Sequence, residues 1–458
     1  MTPPWHIRSA INGIAWPALP AANAAGRLAT LFQLEQSQWW PQERLWQHQL
    51  QQAQLLLRHS VAHVPWYRER LPAAAVGTTP LDAETWHSLP ILSRNEVQQA
   101  GDSLRAVSIP PGHGRLLKQR TSGSTGKPIE TFSTELSLFF WNTFTLREHL
   151  WHKRDLSGKL AVIRYSNSDA AQPPHGQKSN NWGRATQGVI DTGESCLLSI
   201  FTSVPEQAEW LAKENPDYLL THPSVMRDVA RYCKEHGIKL PALREARSLG
   251  EALPDGLREI CHDAWGVEVT DVYSTTELGY LAFQCPEHEH YHIQSESAIV
   301  EILDNEGQPC QPGEVGRVIV TPLHNYATPL IRYEVGDYAE LGEPCSCGRG
   351  LPVIRHIQGR YRNLVTLPSG TLRYPRLGIQ DLYEIAPIDQ FQAIQHSLES
   401  IELKVVVPRP LSESERTALL RHFSQAIGNE FHYTLNEVDA LHRSPGGKYE
   451  EFISAIQR

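Results

Sequence analysis

The sequence predicts an α/β protein, with a large N-terminal domain of mixed sheets and helices and a small α+β C-terminal domain. Three observations predict this class. Short apolar runs alternate with amphipathic helical segments from residue 159, strands and turns dominate after residue 297, and the last segment shows strand, helix and strand in turn. The 458 residues are enough for two or three domains. We place the domain border after residue 360, giving residues 1–360 and 361–458.

The first elements are helices. Residues 27 to about 70 carry apolar and aromatic side chains at helical spacing, and Pro65 closes this stretch. A second amphipathic stretch runs from Thr134 to about Trp151 and is rich in Phe, Trp and Leu. An aromatic stripe of this kind more often packs in a core than lines a cofactor site.

The central part predicts a largely parallel sheet. Four short apolar runs, KLAVIRY, PDYLLTH, ARSLGEAL and VEVTDVY, are separated by helical segments such as SVPEQAEWLAKEN and SVMRDVARYCKEHG. Residues 166–188 are polar and lack periodicity, which is typical of a functional or mobile loop. Farther on, AIVEILDNEGQPC predicts a hairpin and GRVIVTPL a strand. The final segment contains the strand IELKVVVP, the helix SESERTALLRHFSQAIG and the strand FHYTLNEV.

Composition excludes several classes of partner. The formal net charge is -9 and no Lys/Arg run is present, so we expect neither a nucleic-acid nor a membrane partner. No apolar run of about 18 residues is present to span a bilayer. The stretch AINGIAWPALPAANAA has some likeness to a secretory signal, but Pro17 and Pro20 interrupt it. Seven cysteines dispersed along the chain fit reduced thiols, so we expect a cytoplasmic protein.

Two motifs carry groups suited to nucleotide chemistry. Residues 121–127 read TSGSTGK, which differs from a Walker P-loop because only two residues separate Gly123 from Gly126 and because Pro128 follows the lysine. Taken alone, this stretch fits a phosphate-binding loop and a flexible linker equally well. The stretch YSTTE directly follows the apolar run VEVTDV, and strand ends of this kind bind ligands in open α/β sheets.

The order and spacing of these motifs resemble one known family. From about residue 60 to residue 458 the chain is similar to the adenylate-forming (ANL) superfamily and, within it, to the phenylacetate-coenzyme A ligase-like branch. The stretches that carry the resemblance are HVPWYRE, TSGSTGKP, YSTTE, VEILDNEGQP, PGEVGRVIVTPL, TPLIRYEVGD, CSCGRGLP, GR at 359 and GGK at 446.

The resemblance implies a nucleotide-binding role for each matching residue. The mobile loop that closes on the ATP β- and γ-phosphates would consist of Thr121, Ser122, Gly123, Ser124, Thr125, Gly126 and Lys127. The adenine side would be lined by Gly250, Glu251 and Ala252, with Tyr273 stacked on the base.

The remaining implied roles concern the α-phosphate, the metal and the ribose. Thr276 would meet the α-phosphate, Glu277 would hold Mg²⁺, and Asp337 would accept hydrogen bonds from the ribose hydroxyls. Arg360, in the GR pair at the domain hinge, is counted with the nucleotide-binding residues. Lys448 of the mobile C-terminal domain would reach the carboxylate and the α-phosphate, where negative charge builds in the transition state.

The chain departs from the family at two places. The family commonly shows an acidic pair after the hinge GR, whereas Arg362 and Asn363 stand here. This departure bears on the interdomain rotation that the second half-reaction needs. The form SGSTG replaces the more usual SGTTG, which is a conservative exchange of hydroxyls.

The function implied by the resemblance is AMP-forming acid–thiol ligation. The enzyme would adenylate a carboxylic acid, aryl or apolar, with ATP and Mg²⁺, and would pass the acyl group to coenzyme A. An amine or the phosphopantetheine of a carrier protein are alternative acceptors. A non-catalytic nucleotide-binding protein is a third alternative, although the joint presence of Lys448, Glu277 and Asp337 argues against it.

A zinc site is also predicted. Cys345 and Cys347 lie in CSCGR, and CPEHEHYH upstream contains Cys285 and three histidines. Three thiols and one imidazole would form a closed, structural Cys3His site. We favour His292 as the fourth ligand over His288, because it begins a predicted strand at the position usual in the branch.

Overall fold

The structure is a computed structural model that describes residues 5–120, 129–375, 377, 379–441, 443 and 449–456. The chain divides into two compact units. Unit 1 consists of Met1–Lys159, Ser179–Ser195 and Val272–Ile357. Unit 2 consists of Leu160–Lys178, Cys196–Asp271 and Gln358–Arg458.

Helices occur in both units. The α-helices are α1 (Ala22–Ser37), α2 (Gln42–His63), α3 (Ala73–Val76), α4 (Ala83–His87), α5 (Arg94–Ala100), α6 (Glu135–Trp151), α7 (Val204–Glu214), α8 (Pro223–Glu235), α9 (Leu257–Trp265), α10 (Ile379–Ile385) and α11 (Glu413–Ile427). Short 3-10 helices cover Pro65–Tyr67, Gly101–Leu104, Asp169–Ala171 and Tyr361–Asn363. Among the helices the structure describes, none has both the length and the apolar character needed to cross a membrane.

The strands of the first 360 residues are β1 (Leu116–Arg120), β2 (Glu130–Thr134), β3 (Leu160–Arg164), β4 (Gln177–Ser179), β5 (Ser195–Ser199), β6 (Tyr218–Thr221), β7 (Glu245–Leu249), β8 (Glu268–Thr275), β9 (Gly279–Gln284), β10 (Tyr291–Ile293), β11 (Ala298–Leu303), β12 (Val315–Pro322), β13 (Tyr333–Leu341) and β14 (Val353–Arg360). The later strands are β15 (Val365–Thr366), β16 (Leu372–Arg373), β17 (Gln390–Gln395), β18 (Ser400–Val406), β19 (His432–Glu437) and β20 (Phe452–Ser454).

The N-terminal helical segment is broken where the sequence pattern suggests continuity. Helix α1 ends at Ser37 and α2 begins at Gln42, directly after Pro41. Proline lacks the N–H that a helix interior needs and disfavours the helical conformation of the residue before it. Helix α2 then ends at His63, in agreement with the predicted stop at Pro65. The second predicted helix is α6, which Thr134 and Ser137 cap reciprocally.

Unit 1 contains mainly antiparallel strands in the order β11-β12-β13-β14-β10-β9-β8. The pairs β11–β12, β12–β13, β9–β10 and β8–β9 are all antiparallel. The residues of GRVIVTPL form β12, and its partner β11 covers the first part of the predicted hairpin. Helices α2, α4 and α5 contribute to the same apolar core, for example through the fully buried Trp86.

Unit 2 contains the predicted parallel strands. Strand β3 pairs in parallel with β6, and β6 with β7. Helices α7, α8 and α9 connect these strands and bury Trp210, Met226 and Cys261 in a common core. The polar stretch 166–188 is not wholly irregular, because it contains the Asp169–Ala171 turn of helix and β4.

The last hundred residues form a separate four-stranded sheet within unit 2, in the order β19-β18-β17-β20. Strand β18 crosses through α11 to its parallel neighbour β19, as the strand–helix–strand pattern predicts. Ser412 and Glu415 form a capping box at the start of α11. The predicted α/β class with a C-terminal α+β portion is confirmed. The domain border after residue 360 stays a prediction.

Candidate active site

The residues predicted for adenine and ribose contact each other in unit 1. Tyr273 lies on β8 and Asp337 on β13, and the Tyr273 hydroxyl donates a hydrogen bond of 2.7 Å to Asp337 Oδ2. Both residues are less than a tenth exposed. An aromatic ring therefore lies beside a buried carboxylate at the end of β8.

A bulge in β13 places Asp337 there. On β12 a single residue separates Arg317 from Ile319, whereas their partners Tyr338 and Glu334 have three residues between them. Gly336 lies inside this bulge with φ +87, a conformation that glycine adopts without strain. A bulge turns a strand and re-aims its side chains, so the glycine before Asp337 has a structural purpose.

In the turn after β8, the residue predicted to meet the α-phosphate and the residue predicted to hold Mg²⁺ differ in solvent exposure. Thr276 is exposed, whereas Glu277 is buried. The turn is closed by the Leu278 N–H, which donates to Thr275 Oγ at 3.1 Å, and β9 then starts at Gly279. The strand end thus presents a hydroxyl outward and holds a carboxylate inward.

Aromatic side chains from α6 line this turn. Trp141 stacks on Tyr280, the residue after Gly279, with ring centroids 4.4 Å apart. One residue earlier on α6, Phe140 stacks on His324 with centroids 3.8 Å apart. Burial lowers the pKa of His324 to about 4, and His113 adds to this effect, so the imidazole is neutral at neutral pH. The two ring pairs, Trp141 with Tyr280 and Phe140 with His324, are therefore aromatic and uncharged.

The predicted adenine loop lies in unit 2, after β7. Gly250 has φ +80 and starts the loop. The two oxygens of Glu251 accept hydrogen bonds from backbone N–H groups, Oε2 from Ser224 at 3.0 Å and Oε1 from Tyr449 at 2.7 Å. Ser224 belongs to the first turn of α8, where a carboxylate satisfies free N–H groups. Glu251 therefore joins this loop to the chain just after position 448.

The residues predicted to form the hinge are also tied to the chain after position 448. The Arg360 N–H donates to Asn363 Oδ1 at 3.1 Å, and Asn363 Nδ2 donates to the Phe452 carbonyl at 2.8 Å. Arg362 pairs with Glu450, with Nε at 3.1 Å from Oε1. The two residues that replace the usual acidic pair thus make specific contacts of their own.

Two of the predicted elements fall outside the described residues. These are the phosphate loop, Thr121 to Lys127, and the predicted catalytic residue Lys448. Their roles stay predictions, as do those of the other predicted nucleotide-binding residues.

The four predicted zinc ligands come together. One ligand atom from each of Cys285, His292, Cys345 and Cys347 lies within 4.8 Å of the others. Cys285 Sγ is 3.9 Å from Cys345 Sγ, and Cys347 Sγ is 3.4 Å from His292 Nε2. A tetrahedral zinc ion with bonds of about 2.3 Å to sulfur and about 2.0 Å to nitrogen separates such pairs by about 3.8 and about 3.5 Å. The spacing of these residues therefore fits zinc.

The surroundings of His292 also suit a metal ligand. His292 is fully buried, and its Nδ1 lies 3.4 Å from the Leu351 carbonyl, which leaves Nε2 to face the thiols. Burial lowers the pKa of His292 to about 3, so its ring is neutral and has a lone pair to donate. His288 instead bonds Ser346 Oγ at 2.9 Å and lies outside the cluster.

The thiols have unequal acidity in the absence of metal. Burial raises the pKa of Cys345 to about 12. Burial also acts to raise the pKa of Cys347, but hydrogen bonds from Arg349 outweigh it and the pKa lies below the usual thiol value. A metal would bind thiolates and so displace the remaining thiol protons.

Sequence reasoning missed a group of charged residues in unit 2. Arg227 and Asp228 on α8 are buried and contact Arg443 and Glu451, on either side of position 448. No motif marks these residues. The available clue is that an arginine and a glutamate flank the GGK stretch.

Comparison with known proteins adds to this geometry. The CapK C-terminal domain family matches residues 378–455. The phenylacetate-coenzyme A ligase of Thermus thermophilus is 26% identical over 394 residues, which cover 81% of this chain and 83% of that protein. Protein CapK of Staphylococcus aureus is 21% identical and covers 81% of this chain and 80% of its own length.

A solved structure shares the fold. A 2-hydroxyisobutyryl-CoA ligase in the postadenylation state, in complex with R3-HIB-AMP, has a TM-score of 0.68 at 15% identity and covers 89% of this chain and 88% of its own. The chain resembles the phenylacetate-coenzyme A ligase-like adenylate-forming proteins. The predicted resemblance and the predicted enzyme class, an AMP-forming acid–thiol ligase, are thereby confirmed. Within this adenylate-forming fold, Tyr273, Asp337, Thr276 and Glu277 lie on or directly after the strands that the motifs identify.

Proposed function

We propose that the protein adenylates an aryl or apolar carboxylic acid with ATP and transfers the acyl group to coenzyme A. In the first step a carboxylate oxygen attacks the α-phosphorus, the bond to the bridging oxygen breaks, and pyrophosphate leaves. In the second step the thiolate sulfur attacks the acyl carbonyl, the bond to the phosphate oxygen breaks, and AMP leaves. The thiol proton is lost to solvent.

The observation that carries this proposal is the contact of Tyr273 with Asp337 beside the Thr276–Glu277 turn. The Tyr273 ring offers a stacking face for a base, and Asp337 is a hydrogen-bond acceptor held beside it. Thr276 presents a hydroxyl toward the solvent side, where the α-phosphate would bind. The Glu277 carboxylate would hold Mg²⁺, which prefers hard oxygen ligands and neutralises phosphate charge.

The aromatic wall supports an aryl or apolar acid. The stacked pairs Trp141–Tyr280, next to the turn, and Phe140–His324 provide uncharged aromatic surface. Aromatic rings bury a large apolar area and pair favourably with other aromatic rings. A cytoplasmic location stays a prediction.

We also propose a structural zinc ion at Cys285, His292, Cys345 and Cys347. Four protein ligands close the coordination shell, so the ion would hold the loop of residues 345–348 against β9 and β10 without taking part in the reaction.

Product analysis tests the proposed function. The protein is incubated with ATP, Mg²⁺, coenzyme A and a panel of aryl, aliphatic and amino acids, and products are identified by mass spectrometry. We expect AMP and a coenzyme A thioester of an aryl or apolar acid. Parallel reactions with amines and with a phosphopantetheinylated carrier protein test the acceptor. If AMP forms only when an amine or the carrier protein is added, and no coenzyme A thioester is found, coenzyme A is not the acceptor.

A further inference from the structure

The described residues on both sides of Lys448 are held by one set of groups in unit 2. These residues are Arg443 before it and residues 449–456 after it. Their partners lie on α8 and in the loop after β7. The contacts therefore fix the two ends of the stretch that carries the predicted catalytic lysine.

The upstream side is held by Arg443. Its Nη1 donates to Ser224 Oγ at 2.6 Å and its Nη2 to Asp228 Oδ2 at 3.3 Å. Ser224 and Asp228 are separated by about one turn of α8, so the guanidinium lies along the start of that helix. The Arg443 side chain is 16% exposed and that of Asp228 is 7% exposed, which places this pair largely out of water.

The downstream side is held by Tyr449, directly after Lys448. Its backbone N–H donates to Glu251 Oε1 at 2.7 Å, and Glu251 Oε2 accepts from the Ser224 N–H at 3.0 Å. Ser224 thus takes part in both anchors, through its hydroxyl upstream and through its amide downstream. The backbone position next to the lysine is tied to the loop predicted for adenine.

A second downstream contact joins Glu451 to Arg227. Arg227 is 1% exposed and donates to Glu451 Oε1 through Nη1. Its Nε and Nη2 donate to Asp228 Oδ1 at 3.0 and 2.9 Å. Asp228 therefore accepts from Arg227 and Arg443 at once, and the two sides belong to a single network of charges.

These contacts differ from those made inside the C-terminal segment. Arg362 and Gln392 bind Glu450, and all three residues belong to residues 361–458. Contacts of that kind persist in any orientation of the segment. The contacts to Ser224, Arg227, Asp228 and Glu251 depend on the orientation of residues 361–458, because they join this segment to residues 223–251.

We propose that Arg227, Asp228, Glu251, Arg443 and Glu451 are positioning residues that hold the described chain on both sides of Lys448 for adenylate formation and have no part in acyl transfer to coenzyme A. This inference rests on the proposed function and on the role in adenylate formation that the family resemblance implies for Lys448. It follows that loss of the anchor slows the first half-reaction selectively.

The test measures the two half-reactions separately in Arg443→Met and in Glu451→Gln. Acid-dependent ATP–pyrophosphate exchange reports the first, and thioester formation from a supplied acyl-adenylate and coenzyme A reports the second. Arg443→Met removes the hydrogen bonds to Ser224 and Asp228, and Glu451→Gln removes the negative charge paired with Arg227. We therefore expect exchange to fall by about ten- to a hundredfold. Thioester formation from the supplied adenylate should change by less than about twofold, because the anchor is not used there.

Arg409→Met is the matched control. Arg409 pairs with Glu415 at 2.6 Å, and both residues belong to residues 361–458. We expect it to retain both half-reactions and the thermal unfolding midpoint. Exchange in Arg443→Met and Glu451→Gln equal to that of the control, or an equal fall in both half-reactions, would overturn the inference. Absence of exchange in the unmodified protein with every acid would instead overturn the proposed function.

Discussion

At the scale of single residues, the contact between Tyr273 and Asp337 shows how distant motif residues form one site. They are 64 positions apart in sequence, yet their side chains are 2.7 Å apart. The sequence predicts both residues, because each lies in a recognisable motif. It does not predict their contact, which depends on the β13 bulge and on the order of strands between them.

Replacement of Tyr273 by phenylalanine tests the role of this contact. The change removes the donor to a buried carboxylate, and a hydrogen bond to a charged group contributes about 1.5–3 kcal/mol. We expect the KM for ATP to rise by about tenfold, with a smaller change in kcat, because the Asp337 carboxylate loses its orientation. Steady-state kinetics at varied ATP concentration measure both constants.

Tyr67→Phe is the matched control for that variant. Tyr67 is a buried tyrosine of unit 1 whose hydroxyl donates to the Pro329 carbonyl at 3.0 Å. It should lose stability to a similar degree and keep the KM for ATP. Equal KM values in Tyr273→Phe and the unmodified protein would contradict the assigned role of the Tyr273 hydroxyl.

His324 predicts a pH dependence of stability. Burial lowers its pKa in the folded state to about 4, below the value of about 6.5 in an unfolded chain. As the pH falls from about 6.5 to about 4, the unfolded state therefore binds a proton that the folded state does not, and folding is destabilised. His324→Phe has no group at this position that can bind a proton. Because the His324 ring is partly exposed, we expect the free energy of unfolding to fall by only about 2 kcal/mol less in the variant than in the unmodified protein.

Urea unfolding of both proteins between pH 7 and pH 4.5 measures this difference. The two curves of unfolding free energy against pH should diverge as the pH falls. Parallel curves would show that His324 does not keep its neutral form in the folded protein.

At the scale of elements, the turn of residues 345–348 and the β9–β10 hairpin bring together the four predicted zinc ligands. Gly348 has φ +85, which supports the expectation that glycine permits a tight turn after the two cysteines. The spacing of the cysteines and histidines in the sequence predicts this cluster of four side chains. His292 lies on β10 with its ring toward the thiols, whereas His288 lies in the turn before β10 and bonds Ser346 instead.

Zinc removal tests this element. We expect about one zinc per chain in protein purified without chelator and less than about a tenth of that in Cys345→Ser. The loss of a structural ion should lower the unfolding midpoint by several degrees, because metal binding stabilises the folded state. Mass spectrometry of the metal content and thermal unfolding measure the two effects. Cys310→Ser, at a buried cysteine outside the cluster, is the control.

Elements with strong periodicity were the most predictable ones. The parallel strands β3, β6 and β7 and the capped helices α6 and α11 appear where the apolar runs and capping residues indicate. The break before α2 was missed, because the helical spacing of apolar residues continues across Pro41. Local sequence also could not reveal the anchor at α8, since its partners lie about 200 residues away in the chain.

At the scale of the whole molecule, the proposed function assigns two half-reactions to one chain. The relatives of the chain and its fold support adenylation followed by thioester formation. Arg362 and Asn363 replace the usual acidic pair at the hinge and bind Glu450 and the Phe452 carbonyl. The acid itself cannot be predicted from sequence, because side chains of several elements form its pocket.

The most direct test of the central claim is acid-dependent ATP–pyrophosphate exchange by the unmodified protein and by Lys448→Ala. Exchange requires only the first half-reaction, so it does not depend on the acyl acceptor. We predict exchange with at least one class of aryl or apolar acid, and its loss in Lys448→Ala with the unfolding midpoint preserved. Exchange that Lys448→Ala retains in full would contradict the assignment of the lysine, and no exchange with any acid would contradict adenylation itself.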